Sequence, residues 1–114
     1  MTDVLDILTR LEKLLMKYKV ISSPFLQLRD LYEQDKEAFW DKINSLVWWG
    51  GSGSYADIIL KATGQITAKE ELEDNRAYRR AMIDLANAME QSGISNEGAN
   101  FIAETFQKWE EEGI

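Results

Sequence analysis

The stretch TAKEELEDNRAYRRAMIDLANAMEQS, residues 67–92, decides the fold. It opens on Thr67 and Glu70, which form a capping box that satisfies free N–H groups at a helix start. Apolar residues then recur every three or four positions, the spacing that places them on one face of a helix. These residues are Tyr78, Met82, Leu85 and Met89. Because Gly93 suits a helix end, the stretch predicts one long helix that runs to Ser92 and buries a single face.

A similar apolar face is predicted at the start of the chain, in a helix from Val4 to Lys19. Either Asp3 or Thr2 is placed to cap the start of this helix. The apolar residues again recur at spacings of three and four. They are Leu8, Leu11, Leu15 and Tyr18. The first helix is therefore expected to bury one face.

Shorter segments lie between these two helices. A serine followed by a proline is a common helix start, so Ser23 and Pro24 predict a second helix. Asp35 is placed to cap a third helix. The apolar face of that third helix is predicted to be Phe39, Ile43, Leu46 and Val47. Residues 55–62 contain an apolar run that predicts a further helix, although a run of this length also fits a strand.

The last helix is predicted after Ser95, which is placed to cap it. Its apolar face consists of Ala99, Ile102, Ala103, Phe106 and Trp109. The segments are joined by short loops, and strands and helices do not alternate along the chain. We therefore predict an all-α fold, a compact irregular bundle of about six helices, in a single domain of residues 1–114.

The composition narrows the possible functions. The chain has 114 residues and contains neither cysteine nor histidine. It therefore lacks a thiolate, the usual general base at neutral pH, and the nitrogen and sulfur ligands of a zinc site. A site for a hard cation made of carboxylates stays open. We predict that the protein is not an enzyme and has no catalytic residue, no metal and no cofactor.

The charge of the chain also favours binding of a protein over binding of a nucleic acid. The formal net charge is −7, from 20 acidic and 13 basic residues. An acidic surface repels phosphate backbones, so we predict no nucleic-acid binding. The charge suits plain solubility or a basic protein partner. No apolar run approaches the roughly 18 residues of a membrane span, and the first residues are acidic where a signal peptide is basic. We therefore predict no membrane contact and a cytoplasmic location, and leave the oligomeric state open.

The most unusual segment runs from Val47 to Asp57 and contains Gly50-Gly51-Ser52-Gly53-Ser54. Because neighbours on a helix lie about 100° apart, we expect only one of the two adjacent tryptophans to face the core. The segment is not expected to be a phosphate-binding loop, because the lysine of that motif is missing. A serine nucleophile is not expected either, because the chain has no histidine to act as its base. The segment is either a tight turn whose aromatic residues close the core, or a partner-binding surface. The aromatic anchors of that surface would be Trp48, Trp49 and Tyr55.

A second candidate site is a run of four carboxylates in the first turns of the long helix. The run consists of Glu70, Glu71, Glu73 and Asp74. Acidic residues at this position match the helix dipole, although paired carboxylates also hold Mg²⁺ or Ca²⁺ or act as acid and base on glycosides. The arginines that follow are Arg76, Arg79 and Arg80. Ion pairs within the helix, from Glu73 to Arg76 and from Asp74 to Arg80, account for these arginines, and a phosphate site is the weaker alternative.

Residues Trp49 to Leu60 resemble a segment of small bacterial proteins that pair a leucine-rich first helix with a Gly-Gly-x-Gly-Ser-x-x-Asp turn. The whole chain, which is small, acidic and helical, is similar to bacterial immunity proteins that neutralise secreted toxins, including those of contact-dependent inhibition systems. This resemblance implies a non-catalytic inhibitor that binds another protein. It transfers no catalytic residue.

These observations lead to three hypotheses. The first is an immunity protein that occludes a basic toxin domain such as a nuclease, with the aromatic anchors and the carboxylate run as contacts. The second is a helical adaptor or homo-oligomeric structural protein. The third is an enzyme that uses Glu70 and its neighbours with a divalent metal.

Overall fold

The structure, a computed structural model, describes residues 3–50 and 52–114. Within these residues it contains six α-helices, no strand and one turn of 3₁₀ helix at Tyr55–Asp57. The helices are α1 Val4–Lys17, α2 Leu26–Gln34, α3 Lys36–Ile43, α4 Leu46–Trp49, α5 Ala68–Gln91 and α6 Glu97–Glu111. The predicted all-α fold of about six helices is confirmed.

Helix α5 is the central element and packs on both α1 and α6. Its start is capped as predicted, because the Glu70 N–H donates to Thr67 Oγ1 at 3.1 Å. Its end is also as predicted, since Gly93 has a φ of +86°, a backbone conformation that glycine adopts without strain. The predicted faces of α1 and α5 meet in the core. The largest fully buried side chains are Ile7, Leu8, Leu11, Leu15, Phe39, Ile43, Leu60, Tyr78, Met82, Leu85 and Met89.

Three predicted helix ends are shifted. Helix α1 ends at Lys17 rather than Lys19, because Lys19 turns into the left-handed region with a φ of 59°. The predicted start of α2 at Ser23 and Pro24 is wrong, since α2 begins at Leu26. Helix α6 is capped by Asn96 rather than by the residue before it, through a bond of 2.9 Å from the Ala99 N–H.

The helix predicted for residues 55–62 is wrong, and so is the alternative of a strand. After the 3₁₀ turn, residues 58–62 form neither helix nor strand, and Ile58 at the start of this segment has extended backbone angles. Side chains of α5 form hydrogen bonds with the backbone of this segment. Asn75 accepts from the Leu60 N–H at 2.8 Å and donates to the Leu60 carbonyl at 2.9 Å. Glu71 Oε2 accepts from the Ala62 N–H at 2.6 Å. Since these backbone groups have partners on another element, the segment does not need helical hydrogen bonds.

The third predicted helix is broken in two, between α3 and α4. Its expected core residues Leu46 and Val47 are 81% and 64% exposed, whereas both adjacent tryptophans are buried. Gly50, which follows α4, has a φ of −85° and so is not in the left-handed conformation that glycine often adopts after a helix. A Cβ at Gly50 would lie 2.5 Å from the Leu46 carbonyl oxygen, so glycine is needed for close approach. Gly51, the second glycine of the turn, lies outside the described residues.

Candidate binding surface

An open cavity of about 730 Å³ lies between the loop that follows α1, the start of α2 and helix α4. Three aromatic rings form its floor. Trp48 stacks on Tyr55 with ring centroids 4.2 Å apart, and Phe25 lies 6.1 Å from Trp48 and 6.0 Å from Tyr55. The rim carries exposed apolar residues, which are Val20, Leu26 and Val47. We call this cavity the aromatic groove.

A partly buried ion pair between Glu12 and Arg29 attaches one wall of the aromatic groove to α1. The guanidinium of Arg29 donates to Glu12 Oε1, and the Phe25 N–H donates to Glu12 Oε2 at 2.8 Å. Burial raises the pKa of the Glu12 carboxyl, but the bonds from Arg29 and from the Phe25 N–H outweigh it, so the pKa is lowered from its usual value. Glu12 therefore fixes both the start of α2 and the position of the Phe25 ring.

Trp49 does not lie in the groove. Its indole Nε1 donates to the Ile43 carbonyl at 3.0 Å, and its backbone lies close to α6, where a Cβ at Gly98 would be 3.0 Å from the Trp49 carbonyl oxygen. The expectation that one of the two tryptophans is exposed is wrong. Helix α4 is a single turn, so α6 covers one of its flanks while Phe25 and Tyr55 cover the other.

The carboxylate run on α5 is largely engaged within the protein. Lys17 Nζ lies 3.1 Å from Glu70 Oε2 and 2.6 Å from Asp74 Oδ2. The Tyr18 hydroxyl donates to Asp74 at 2.7 Å, and burial together with this bond raises the pKa of Tyr18 to about 12. Glu71 binds the backbone of the extended segment. Of the four, only Glu73 is exposed without a side-chain bond to any described residue.

The arginines of α5 do not pair within the helix, so that prediction is wrong. Arg80 forms an ion pair with Glu110 of α6 at 2.6 Å. Arg76 and Arg79 donate to the main-chain oxygens of Gly113 and Ile114. The three arginines therefore attach the end of α6, and the residues after it, to α5.

Sequence reasoning missed a second set of exposed carboxylates, on the consecutive helices α2 and α3, which we call the acidic face. Its members are exposed carboxylates, and none forms an ion pair with a described residue. They are Asp30, Glu33, Glu37 and Asp41. Leu26 of the groove rim and Asp30 are one helical turn apart, so the acidic face begins beside the groove. The sequence does contain a feature that could have indicated this surface, since five carboxylates lie within residues 30–41. They are not consecutive, because they are spread over two helices.

No group of three or more carboxylates in the described part of the chain is arranged to hold a metal ion. Ser54 is buried, and its hydroxyl has no hydrogen-bond partner among the described residues. No helix of residues 3–50 and 52–114 is long and apolar enough to cross a membrane. Comparison with protein-family models, curated proteins and solved structures finds no match to this chain.

Proposed function

We propose that this protein is a non-catalytic inhibitor that binds a basic domain of another protein. The observation that carries the proposal is the aromatic groove with the acidic face beside it. An open apolar cavity with an aromatic floor offers the kind of pocket in which interface hot spots lie. Within residues 26–43, five carboxylates outnumber three basic residues, so α2 and α3 supply a net negative charge beside the groove.

The two features have separate roles in binding. The groove rim exposes Leu26 and Val47 by 61% and 64%, so a partner that covers them removes apolar surface from water. The carboxylates of the acidic face steer a basic partner and set its orientation, and this effect weakens as salt screens the charges. Apolar burial therefore supplies affinity, and the acidic face supplies selectivity for a basic partner.

The specific role that we propose is immunity against a basic toxin domain such as a nuclease. Nuclease sites are basic because they hold phosphates, and an acidic protein surface that covers such a site competes with the nucleic acid. The contacts in this proposal are Trp48, Tyr55, the groove rim and the acidic face. Trp49 is not among them, because it does not line the groove and its indole N–H is bonded to the Ile43 carbonyl. Glu70 and Asp74 are not among them either, because both are paired with Lys17.

Affinity capture with matched baits tests the proposal. The wild type is compared with Asp30→Lys/Glu33→Lys, which reverses two charges of the acidic face. The control Glu73→Lys/Glu90→Lys makes the same change of charge on exposed residues of α5. We expect the wild type and the control to capture the same basic protein from the cells that encode it, with release by salt, and the acidic-face variant to lose it.

The captured protein is then purified for titration against groove variants. We expect Leu26→Ala/Val47→Ala to weaken binding about tenfold, since truncation of a hot spot costs more than about 1 kcal/mol. We also expect the captured protein to carry a toxic activity that this chain suppresses. Equal capture by all three baits, or a captured protein that is acidic, would contradict the proposal.

Self-association through the same groove is the second function that the structure favours. An exposed apolar rim suits a second copy as well as a foreign partner. Each copy carries a net charge of −7, which opposes such a dimer at low salt. Sedimentation at low and high salt distinguishes self-association from binding of a basic partner. A dimer that forms as the salt concentration rises indicates self-association. Binding of a basic partner is expected to weaken under the same change.

A further inference from the structure

A second cavity, of about 590 Å³, lies between residues 56–59, α5 and α6. We call it the α5–α6 cleft. Its volume falls within the roughly 300–1,000 Å³ of small-molecule sites, which are concave and mostly apolar. The walls of the cleft are mainly apolar and aromatic, and their principal residues are Ile58, Leu72, Phe101, Ile102 and Trp109. The cleft therefore has the size and the lining of a site for a small apolar molecule.

Exposed apolar side chains are concentrated around this cleft. Nine large hydrophobic side chains are exposed among the described residues, and four of these nine line the cleft. They are Ile59, Leu72, Phe101 and Ile114, of which Ile59 is 72% exposed and Phe101 is 67% exposed. A ligand that covers them removes apolar surface from water, which favours binding. Because these residues surround a cavity, the ligand that fits them is one that enters between α5 and α6.

The one basic side chain that lines the cleft is already bonded. The guanidinium of Arg79 donates to a main-chain oxygen of Ile114. The same guanidinium lies 5.5 Å from the centroid of the Trp109 ring, which is close enough for a cation–π contact. Arg79 therefore has partners on α6 and on the residue that ends the chain, and it does not select an anionic ligand.

The two acidic side chains that line the cleft are bonded as well. Glu71 accepts from the Ala62 N–H at 2.6 Å, and Asp57 accepts from the Gly53 N–H at 3.3 Å. Both carboxylates thus bind the backbone of the segment around residues 53–62. A charged ligand would leave water for apolar walls whose charged groups are already engaged, and such a transfer is costly. The charges that line the cleft therefore favour an uncharged ligand.

We propose that the α5–α6 cleft binds a small, uncharged, apolar molecule. Its body lies between Leu72 of α5 and the Phe101 and Trp109 rings of α6. Apolar burial supplies the affinity, and the cost of placing a charge in the cleft supplies the selectivity against ions. The site shares no lining residue with the aromatic groove, so it stands or falls independently of the inhibitor function.

Three probes with one compact hydrocarbon body test the chemistry of the ligand. Adamantanol is uncharged, adamantane carboxylate is an anion, and adamantylammonium is a cation. Binding is followed by intrinsic fluorescence, because Trp109 lines the cleft whereas the other three tryptophans are buried. We expect adamantanol to change the fluorescence, and each ion to bind about tenfold more weakly, since its charge loses water without gaining a free partner. Trp109→Phe should abolish the fluorescence signal.

A variant that fills the cleft tests the place of binding, with calorimetry as a readout that does not depend on Trp109. Thr105 lines the cleft one helical turn from Phe101, so Thr105→Phe puts a ring into the space for the ligand and is expected to abolish binding of adamantanol. The matched control Gln107→Phe adds the same ring at an exposed position of α6 outside the cleft. It is expected to bind adamantanol as the wild type does.

A second pair of variants removes exposed side chains and so leaves the core intact. Phe101→Ala shortens one wall of the cleft and is expected to weaken adamantanol about tenfold, because apolar contact is lost. The control Leu26→Ala makes a similar truncation at the rim of the aromatic groove, where the side chain is 61% exposed, and is expected to leave the affinity unchanged.

The proposal is overturned if adamantanol does not bind or if either ion binds as tightly. It is also overturned if Thr105→Phe still binds adamantanol, or if Leu26→Ala weakens binding as much as Phe101→Ala does. The last result would place the probe in the aromatic groove.

Discussion

The carboxylates at the start of α5 and those of the acidic face are the same chemical groups in opposite situations. Glu70 and Asp74 share the ammonium of Lys17, and Asp74 also receives the Tyr18 hydroxyl. Asp30 and Glu33 have no ion pair with any described residue. The first group ties α1 to α5, whereas the second is exposed to solvent. Acidic residues in a sequence therefore do not reveal which of them the fold uses and which are available to a partner.

Glu12 is the extreme case of a carboxylate that the fold uses. Its side chain is 10% exposed and is bonded to Arg29 and to the Phe25 N–H. Because Glu12→Ala leaves a guanidinium and a backbone N–H without their acceptor, we expect a loss of about 3 kcal/mol in the free energy of unfolding. Urea denaturation measures this loss. A decrease no larger than that of the exposed control Glu33→Ala would contradict the conclusion that Glu12 stabilises the fold.

Acid is expected to destabilise the protein through the engaged carboxylates. Burial raises the pKa of Asp74, but Lys17 and Tyr18 outweigh it and leave the pKa lowered. The pKa of Glu12 is lowered as well. A carboxyl whose pKa is lower in the folded state stabilises fully above its unfolded pKa, near 4. That stability is lost as the pH falls through the folded pKa.

The pH dependence has a direct measurement. We expect the free energy of unfolding to fall below about pH 4, by less than Glu12→Ala costs at neutral pH, because a protonated carboxyl keeps its oxygens as acceptors. Asp74→Asn should make the decline shallower. The neighbouring substitution Glu73→Gln, which removes a carboxylate without a bond, should keep the wild-type profile. Identical profiles for all three proteins would contradict the assigned role of Asp74.

The smallest effect is expected on the acidic face. Asp30→Lys/Glu33→Lys should change the free energy of unfolding by less than about 0.5 kcal/mol, because neither carboxylate has a bonded partner to lose. Thermal unfolding at neutral pH provides the measurement. A clear destabilisation would place these residues with the carboxylates that the fold uses, and would remove them from the proposed contact surface.

Much of the fold could be predicted because its signals are local. The capping box at Thr67 and the apolar face from Tyr78 to Met89 depend on residues three or four positions apart, and the structure confirms both. The candidate site was harder to predict. Trp48 and Tyr55 do lie together, but Trp49 turns toward α6. That outcome depends on a one-turn helix between partners that are distant in the sequence.

The sequence by itself determined the helical class, the two long amphipathic helices and most of their ends, because hydrogen bonds and periodicity within a helix involve near neighbours. Only the tertiary structure decided which polar side chains form hydrogen bonds and ion pairs within the fold. Asn75 and Glu71 hold residues 60 and 62 in an extended segment, and Lys17 meets Asp74 across 57 positions of the chain. Such pairings depend on how helices pack, and no local pattern records that packing.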